Sequence, residues 1–180
     1  MRQIAVIVLA LLCIYTANAQ INNGRGIELG FGVDAGIPVG NDFKEYTSFG
    51  FGGDATLGYN FNKRSALLLR GGYMSFVVKD AYQQNKLKAI GDGFMKVCGR
   101  YIFPFHFFVE PQAGYSTFSS GKSHLVHPGN GFTYAAAAGF CFDRLNAFEV
   151  SLRYEATTCK NGINFVGLRV AYNIKPGTYL

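Results

Sequence analysis

Between Ile27 and Ile174 the chain is written in alternation, with apolar residues at every second position and small, polar or charged residues between them. In the first stretch Ile27, Leu29, Phe31, Val33, Ala35 and Ile37 alternate with Glu28, Gly30, Gly32, Asp34 and Gly36. A period of two puts these sets on opposite faces of a strand. Eight such stretches follow one another, and the charged residues repeatedly fall in the middle of a strand with apolar residues on either side. That is the pattern of a protein turned inside out, apolar towards its surroundings and polar within. It predicts an all-β chain folded as an eight-stranded antiparallel up-and-down transmembrane β-barrel.

The strands are expected near residues 26–37, 48–61, 66–78, 93–103, 106–118, 131–142, 147–157 and 163–174. Their connections alternate in length. Those after strands two, four and six are short: Asn62 to Ser65, Pro104-Phe105, and Asp143 to Asn146. Those after strands one, three and five are longer, through Gly40-Asn41-Asp42, Asp80 to Lys88, and Ser119 to Asn130, while Thr158 to Gly162 is intermediate. Short periplasmic turns opposite long outer loops are the asymmetry of bacterial outer-membrane barrels. Unpaired backbone groups cannot be left in hydrocarbon, so strand one must close on strand eight.

Pointing the apolar face outward gathers the aromatic residues at two heights. Tyr59, Phe61, Tyr101, Phe103, Phe107, Phe140, Phe142, Phe148 and Tyr172 fall near the periplasmic ends. Phe49, Phe51, Tyr73, Tyr115, Phe132, Tyr134 and Tyr154 fall near the outer ends. Between them the outward residues are aliphatic or small, among them Leu57, Leu69, Val97, Ala136, Ala138, Leu152 and Leu168. Two aromatic girdles around an apolar band are the lipid-facing pattern of these barrels.

The opposite face carries Glu28, Asp34, Asp54, Glu110, Glu149 and Glu155 against Arg70, Lys96, Arg100, Arg153 and Arg169. An eight-stranded barrel is just wide enough for side chains to fill it, and buried charges must be paired. The lumen is therefore expected to be a salt-bridged plug, with inward Gly30, Gly32, Gly52, Gly58, Gly114 and Gly167 making room for the long side chains. Folding the hairpins sets Arg100 against Glu110 and Glu149 against Arg169. Cys98 and Cys141 point inward from different strands and Cys159 lies in a loop, so a single disulfide at most is open to them. None has metal-site spacing.

Residues 1–19 read as a secretory signal peptide: a basic start at Arg2, an apolar run from Ile4 to Ile14, and Ala17-Asn18-Ala19 before Gln20. The barrel domain is then 20–180. The net charge is +6 at pH 7, and with Arg2 and the lumen charges set aside the excess of bases lies in loops and termini. Scattered basic residues on an exported chain argue against nucleic acid and suit anionic lipopolysaccharide.

The signal peptide, the Gly-rich first strand Leu29-Gly30-Phe31-Gly32-Val33-Asp34-Ala35-Gly36-Ile37-Pro38 and the last strand Phe165 to Ile174 resemble the small outer-membrane barrels of the OmpX and OmpA-barrel type. The resemblance implies the cell outer membrane of a Gram-negative envelope, and is specific for architecture only, since fold does not fix function. Some barrels of this size resemble enzymes that modify lipid A with a His and a Ser. Here Ser123, His124 and His127 lie in the fifth connection with Ser119, Ser120 and Lys122 but with no acid to orient a base. No catalytic site, cofactor or metal is expected. A soluble lipocalin-type barrel would have to hold the Phe and Tyr girdles inside, where there is no room.

The reading is a monomeric porin-like outer-membrane barrel with a structural or surface-interaction role. Its expected partners are lipid, lipopolysaccharide and an extracellular protein met through loop residues such as Tyr82, Leu87, Leu125 and Val126. A narrow channel for small or hydrophobic solutes is the first alternative, and a lipid-modifying enzyme the second.

Overall fold

A computed structural model describes residues 25–79, 89–119, 129–142, 147–159 and 162–175. The signal segment, the loop residues Tyr82, Leu87, Leu125 and Val126, and Ser123, His124 and His127 lie outside the described residues. The strands are β1 (Gly26–Val39), β2 (Thr47–Asn60), β3 (Ser65–Val78), β4 (Ala89–Ile102), β5 (Phe107–Ser119), β6 (Asn130–Cys141), β7 (Phe148–Thr158) and β8 (Ile163–Ile174). They form one closed barrel in chain order, every neighbouring pair antiparallel, with β1 pairing β8 from Leu29↔Ile174 to Val39↔Asn164. Closure removes the free edges that a sheet would otherwise expose.

Alternation sets the faces. Phe31, Leu57, Leu152 and Leu168 lie exposed on the outside, while Glu28, Arg70, Arg153 and Arg169 are buried inside. The outward aromatics follow the same rule: Phe49, Phe51, Tyr59, Phe61, Tyr73, Tyr101, Phe103, Tyr115, Phe132, Tyr134, Phe140, Phe142, Phe148, Tyr154 and Tyr172 are all exposed. Phe107 is half-buried, covered by neighbouring rings with centroids 5.9 Å away at Phe103 and 5.3 Å away at Phe140.

Two boundaries differ from the sequence reading for physical reasons. The first connection contains a short helix, α1 (Asn41–Tyr46), which turns Phe43 into the barrel mouth, where its ring meets Phe76 edge-on at 5.0 Å. The hydroxyl of Thr47 donates to the Phe43 carbonyl at 2.5 Å and ties the end of the helix to β2. Strand β4 starts at Ala89, earlier than expected, so Asp92 is an inward strand residue and not part of a loop.

The β4–β5 ladder has a gap. Its register runs from Gly91↔Ser119 to Cys98↔Gln112 and resumes at Tyr101↔Val109. Opposite Gly99 stands Pro111, whose ring nitrogen has no hydrogen to give the Gly99 carbonyl. On the inner side Arg100 and Glu110 face each other across this gap, Nε to Oε2 at 2.8 Å, so a charged bond spans the place where the backbone ladder is interrupted.

Glycine serves the interior by making room. A Cβ on Gly32 would fall 2.7 Å from Nε of Arg169, and one on Gly114 would fall 2.0 Å from the Met95 carbonyl oxygen and 2.6 Å from Lys96 Cα. Gly52 and Gly58 depart from the expectation, since they accommodate the apolar side chains of Met74 and Leu68 instead of charged ones, and at Gly167 an added Cβ would make only ordinary contacts. The contacts at Gly114 are with backbone and cannot swing aside. Gly114→Ala is expected to lower stability by about 1–3 kcal/mol through overpacking, read as a shifted urea midpoint. Gly99→Ala, where an added Cβ meets nothing within 4 Å, is the control and should leave the midpoint nearly unchanged.

Candidate functional site: the lumen charge network

Every inward charge expected from the alternation is buried: Glu28, Asp34, Asp54, Arg70, Lys96, Arg100, Glu110, Glu149, Arg153, Glu155 and Arg169. Strands from all around the barrel contribute them, and the narrow interior forces their heads together. Arg100 is the hub of the part nearer the short turns. Its Nη2 lies 2.6 Å from Glu110 Oε2, its Nη1 lies 2.7 Å from Glu149 Oε2, and the same Nη1 lies 3.5 Å from Glu28 Oε1. Arg169 grips Asp54 with two parallel bonds, Nε to Oδ2 and Nη2 to Oδ1, both at 2.7 Å, and its Nη1 contacts Glu149. Such bidentate forks are the strong form of the charged hydrogen bond.

Arg70 completes this region, with Nη1 2.8 Å from Glu110 Oε1 and Nε 3.2 Å from the Thr56 hydroxyl. Neutral side chains fill the remaining acceptor positions. Asn60 donates to Glu28 at 3.0 Å, Asn173 to Glu149 at 2.8 Å, and Gln112 to Glu110 at 2.8 Å. These amides share the inward parity of the charged residues, which is the signal by which the sequence marks them. At the rim Lys175 stands 3.5 Å from Glu28.

Further towards the mouth that carries α1 lies a second cluster. Lys96 Nζ sits 2.6 Å from Glu155 Oε2, Arg153 Nε sits 3.0 Å from the same oxygen, and Arg153 Nη2 sits 3.2 Å from Asp34 Oδ1. Asp92, which lies outside the strand expected from the sequence, joins this cluster. Both hairpin pairs set opposite by the sequence, Arg100 with Glu110 and Glu149 with Arg169, are in contact.

The lumen is not charged along its whole length. At the mouth that carries α1, Phe43, Met74, Phe76, Val78, Ile90, Phe94, Phe118, Ile163 and Phe165 form a buried apolar cap. Smaller apolar groups, Ala66, Leu68 and Cys98, and separately Ile102, Phe108 and Cys141, lie towards the other end. Arg153 and Lys96 lie beneath the cap, with the Lys96 ammonium 4.1 Å from the centroid of Phe94 and the Arg153 guanidinium 5.6 Å from that of Phe165. A cation over a ring face is held by the quadrupole of the ring.

Chemically the arrangement suits closure better than turnover. Glu110 and Glu149, carboxylates that could have formed an acid and base pair, are each engaged by guanidinium groups. Cys98, Cys141 and Cys159 are free thiols, and among the described residues no group of three His, Cys, Asp or Glu side chains is placed to hold a metal ion. His106 sits in the turn Pro104–His106, where it and Phe105 both adopt positive φ, 63° and 68°.

No family model matches the chain, and no curated protein matches its sequence. Solved structures do match. The Yersinia pestis outer membrane protein Ail is 12% identical, covering 83% of this chain and 100% of that one, with a TM-score of 0.55. The N-terminal β-barrel domain of Pseudomonas aeruginosa OprF is 13% identical, covering 82% of this chain and 97% of that one, with a TM-score of 0.56. A de novo designed transmembrane β-barrel is 14% identical, covering 86% and 98%, with a TM-score of 0.52. At such identities the likeness concerns architecture, and with its closed eight-stranded barrel the chain has the fold of the small outer-membrane β-barrels.

Proposed function

We propose that the protein is exported by its signal peptide, residues 1–19, and sits in the outer membrane as a monomeric barrel with a closed lumen, acting structurally and through its outer surface. The observation that carries this reading is the polarity of the barrel wall. Phe31 and Leu152 are 61% and 60% exposed on the outer face, whereas Arg70 and Arg153 are each 1% exposed within. Water is the wrong solvent for that outer face, and a bilayer is the right one.

The closed lumen favours a structural or surface role over transport. A solute crossing it would have to part Arg100 from Glu110 and Glu149 and then displace the cap around Phe76 and Phe165. The basic excess outside the lumen suits lipopolysaccharide, and a protein partner would be met at the outer loops. One of the similar barrels is an attachment invasion locus protein, which is in keeping with a surface role. Nothing in the network favours the lipid-modifying alternative, whose candidate residues Ser123, His124 and His127 belong to the fifth connection.

The test combines location with conductance. Membrane fractionation should place the protein with the outer membrane, and the detergent-extracted barrel should migrate differently on a gel before and after boiling. Reconstituted into a planar bilayer, it should show no stable conductance. Uniform migration from an aqueous fraction would overturn the membrane reading, and steady single-channel steps would overturn the closed lumen while leaving the location intact.

A further inference from the structure

The turn between β4 and β5 is built against its own backbone preferences. Phe105 and His106 both hold positive φ, 68° and 63°, in the left-handed region that a bulky residue enters only under strain. Two-residue hairpin loops with positive φ at both positions are ordinarily filled by Asn and Gly, which adopt it freely. The chain instead places a phenyl ring there and leaves it bare. Phe105 is 91% exposed, more than any other large apolar side chain among the described residues. A strained outlier that the packing of the protein does not explain points to something outside the protein.

The surroundings of the turn indicate what that is. Phe105 lies two residues from Phe103 and two from Phe107, so its Cα is within about 7 Å of theirs. Those two rings belong to an unbroken aromatic row on the outer face, with centroids 4.9 Å apart from Tyr101 to Phe103, 5.9 Å from Phe103 to Phe107 and 5.3 Å from Phe107 to Phe140. Phe105 continues the row past the strand ends. The β2–β3 turn stands beside it, tied by the amide of Ile102, which donates to the Arg64 carbonyl at 2.7 Å. Its exposed ionic residues, Lys63 and Arg64, are both bases, and so is the exposed Arg25, whose Nε donates to the Phe61 carbonyl at 2.9 Å. Among the described residues no exposed acid lies at this end of the barrel. A ring that extends a lipid-facing band, beside bases with no opposing acid, is complementary to a layer of glycerol esters and phosphates.

On the membrane reading given above, we propose that the short-turn end of the barrel docks on phospholipid headgroups, with the Phe105 ring seated in the glycerol and upper acyl region of the leaflet. The dimensions agree. The headgroup layer is about 5–8 Å thick on each side of the hydrocarbon, close to the reach of the turn beyond the girdle. Strain at Phe105 and His106 is then the cost of presenting an aromatic ring at the interface, where Asn-Gly would turn the chain more easily and present none.

The chain contains no Trp, so Phe105→Trp installs a single fluorescent reporter with a side chain suited to the interface. The variant is folded into phosphatidylcholine vesicles alongside Leu152→Trp, which reports the middle of the wall, with iodide present on both sides of the membrane. The Phe105→Trp reporter should emit to the blue of the urea-unfolded chain and lose most of its quenching by iodide. It should be quenched more by lipids brominated high on the acyl chain than by lipids brominated near the chain end, and Leu152→Trp should show the opposite order. Emission and iodide quenching equal to those of the unfolded chain in Phe105→Trp, with Leu152→Trp in hydrocarbon, overturn the proposal and give the ring to water or to a protein partner. Stronger quenching of Phe105→Trp by the deep bromines also overturns it. Water around both reporters overturns the membrane reading itself. Where the variant fails to refold, the unsubstituted chain decides: a phospholipid carrying a photoactivatable group at its glycerol end should label residues 103–107, and label confined to other segments overturns the proposal.

Discussion

Glu149→Ala is expected to lower the stability of the folded barrel by about 3–5 kcal/mol, the cost of breaking a buried ion pair by removing one partner. Glu149 is the carboxylate shared by two guanidiniums. Arg100 reaches both of its oxygens, at 2.7 and 3.1 Å, Arg169 contacts Oε1, and Asn173 donates to Oε2 at 2.8 Å. Removing it leaves Arg100 with Glu110 and the distant Glu28, and Arg169 with Asp54 as its one ion-pair partner beside the Thr56 hydroxyl. The region then carries an excess positive charge in a site where its donors cannot reach water. Urea unfolding in lipid vesicles is the measurement, and the double-mutant cycle of Glu149→Ala with Arg100→Ala apportions the pair. A loss below about 1 kcal/mol, the level of an exposed pair, would show that solvent enters the lumen and that the plug is open. Lys63→Ala, in the exposed β2–β3 turn, serves as the surface control.

How far the sequence reveals this network depends on what alternation can encode. A period of two leaves two choices of face, and mid-strand charge selects one, which is why Arg153 and Glu155 read as inward and Leu152 and Tyr154 as outward. Contacts across the lumen carry no such signature. The Arg100–Glu149 bond joins β4 to β7, strands that share no ladder, and only the folded barrel brings these residues together. Local rules also mislead at element ends. Asp92 follows a polar run and reads as loop, yet it keeps the parity of Phe94, Lys96 and Arg100, and the structure extends the strand through it. The apolar cap was hidden for another reason. Aromatic residues in such a chain are claimed first by the two girdles, and Phe76, Phe94, Phe118 and Phe165 differ from girdle residues only in parity. Phe43 has no periodic signal at all, because α1 and the Thr47 hydrogen bond place it.

The outer wall gives a prediction that separates lipid from water as the solvent of this barrel. Leu152 lies in the middle of β7, opposite Ala138 on β6 and Leu168 on β8, with an outward side chain that is 60% exposed. In a bilayer Leu152→Arg puts a guanidinium near the midplane, where an arginine on the lipid face of a barrel costs about 2–4 kcal/mol. The same substitution in Ile27, exposed at the end of β1, places the charge near the interface, where the cost falls to about 0–1 kcal/mol. If the outer face met water, both would be surface substitutions away from any buried contact, with effects within about 0.5 kcal/mol. The difference between the two positions is therefore the quantity to measure, by urea unfolding in vesicles. Depth is the variable that only a membrane supplies: a cost at Leu152 well above that at Ile27 identifies hydrocarbon around the waist of the barrel, and equal small costs would return the outer face to water.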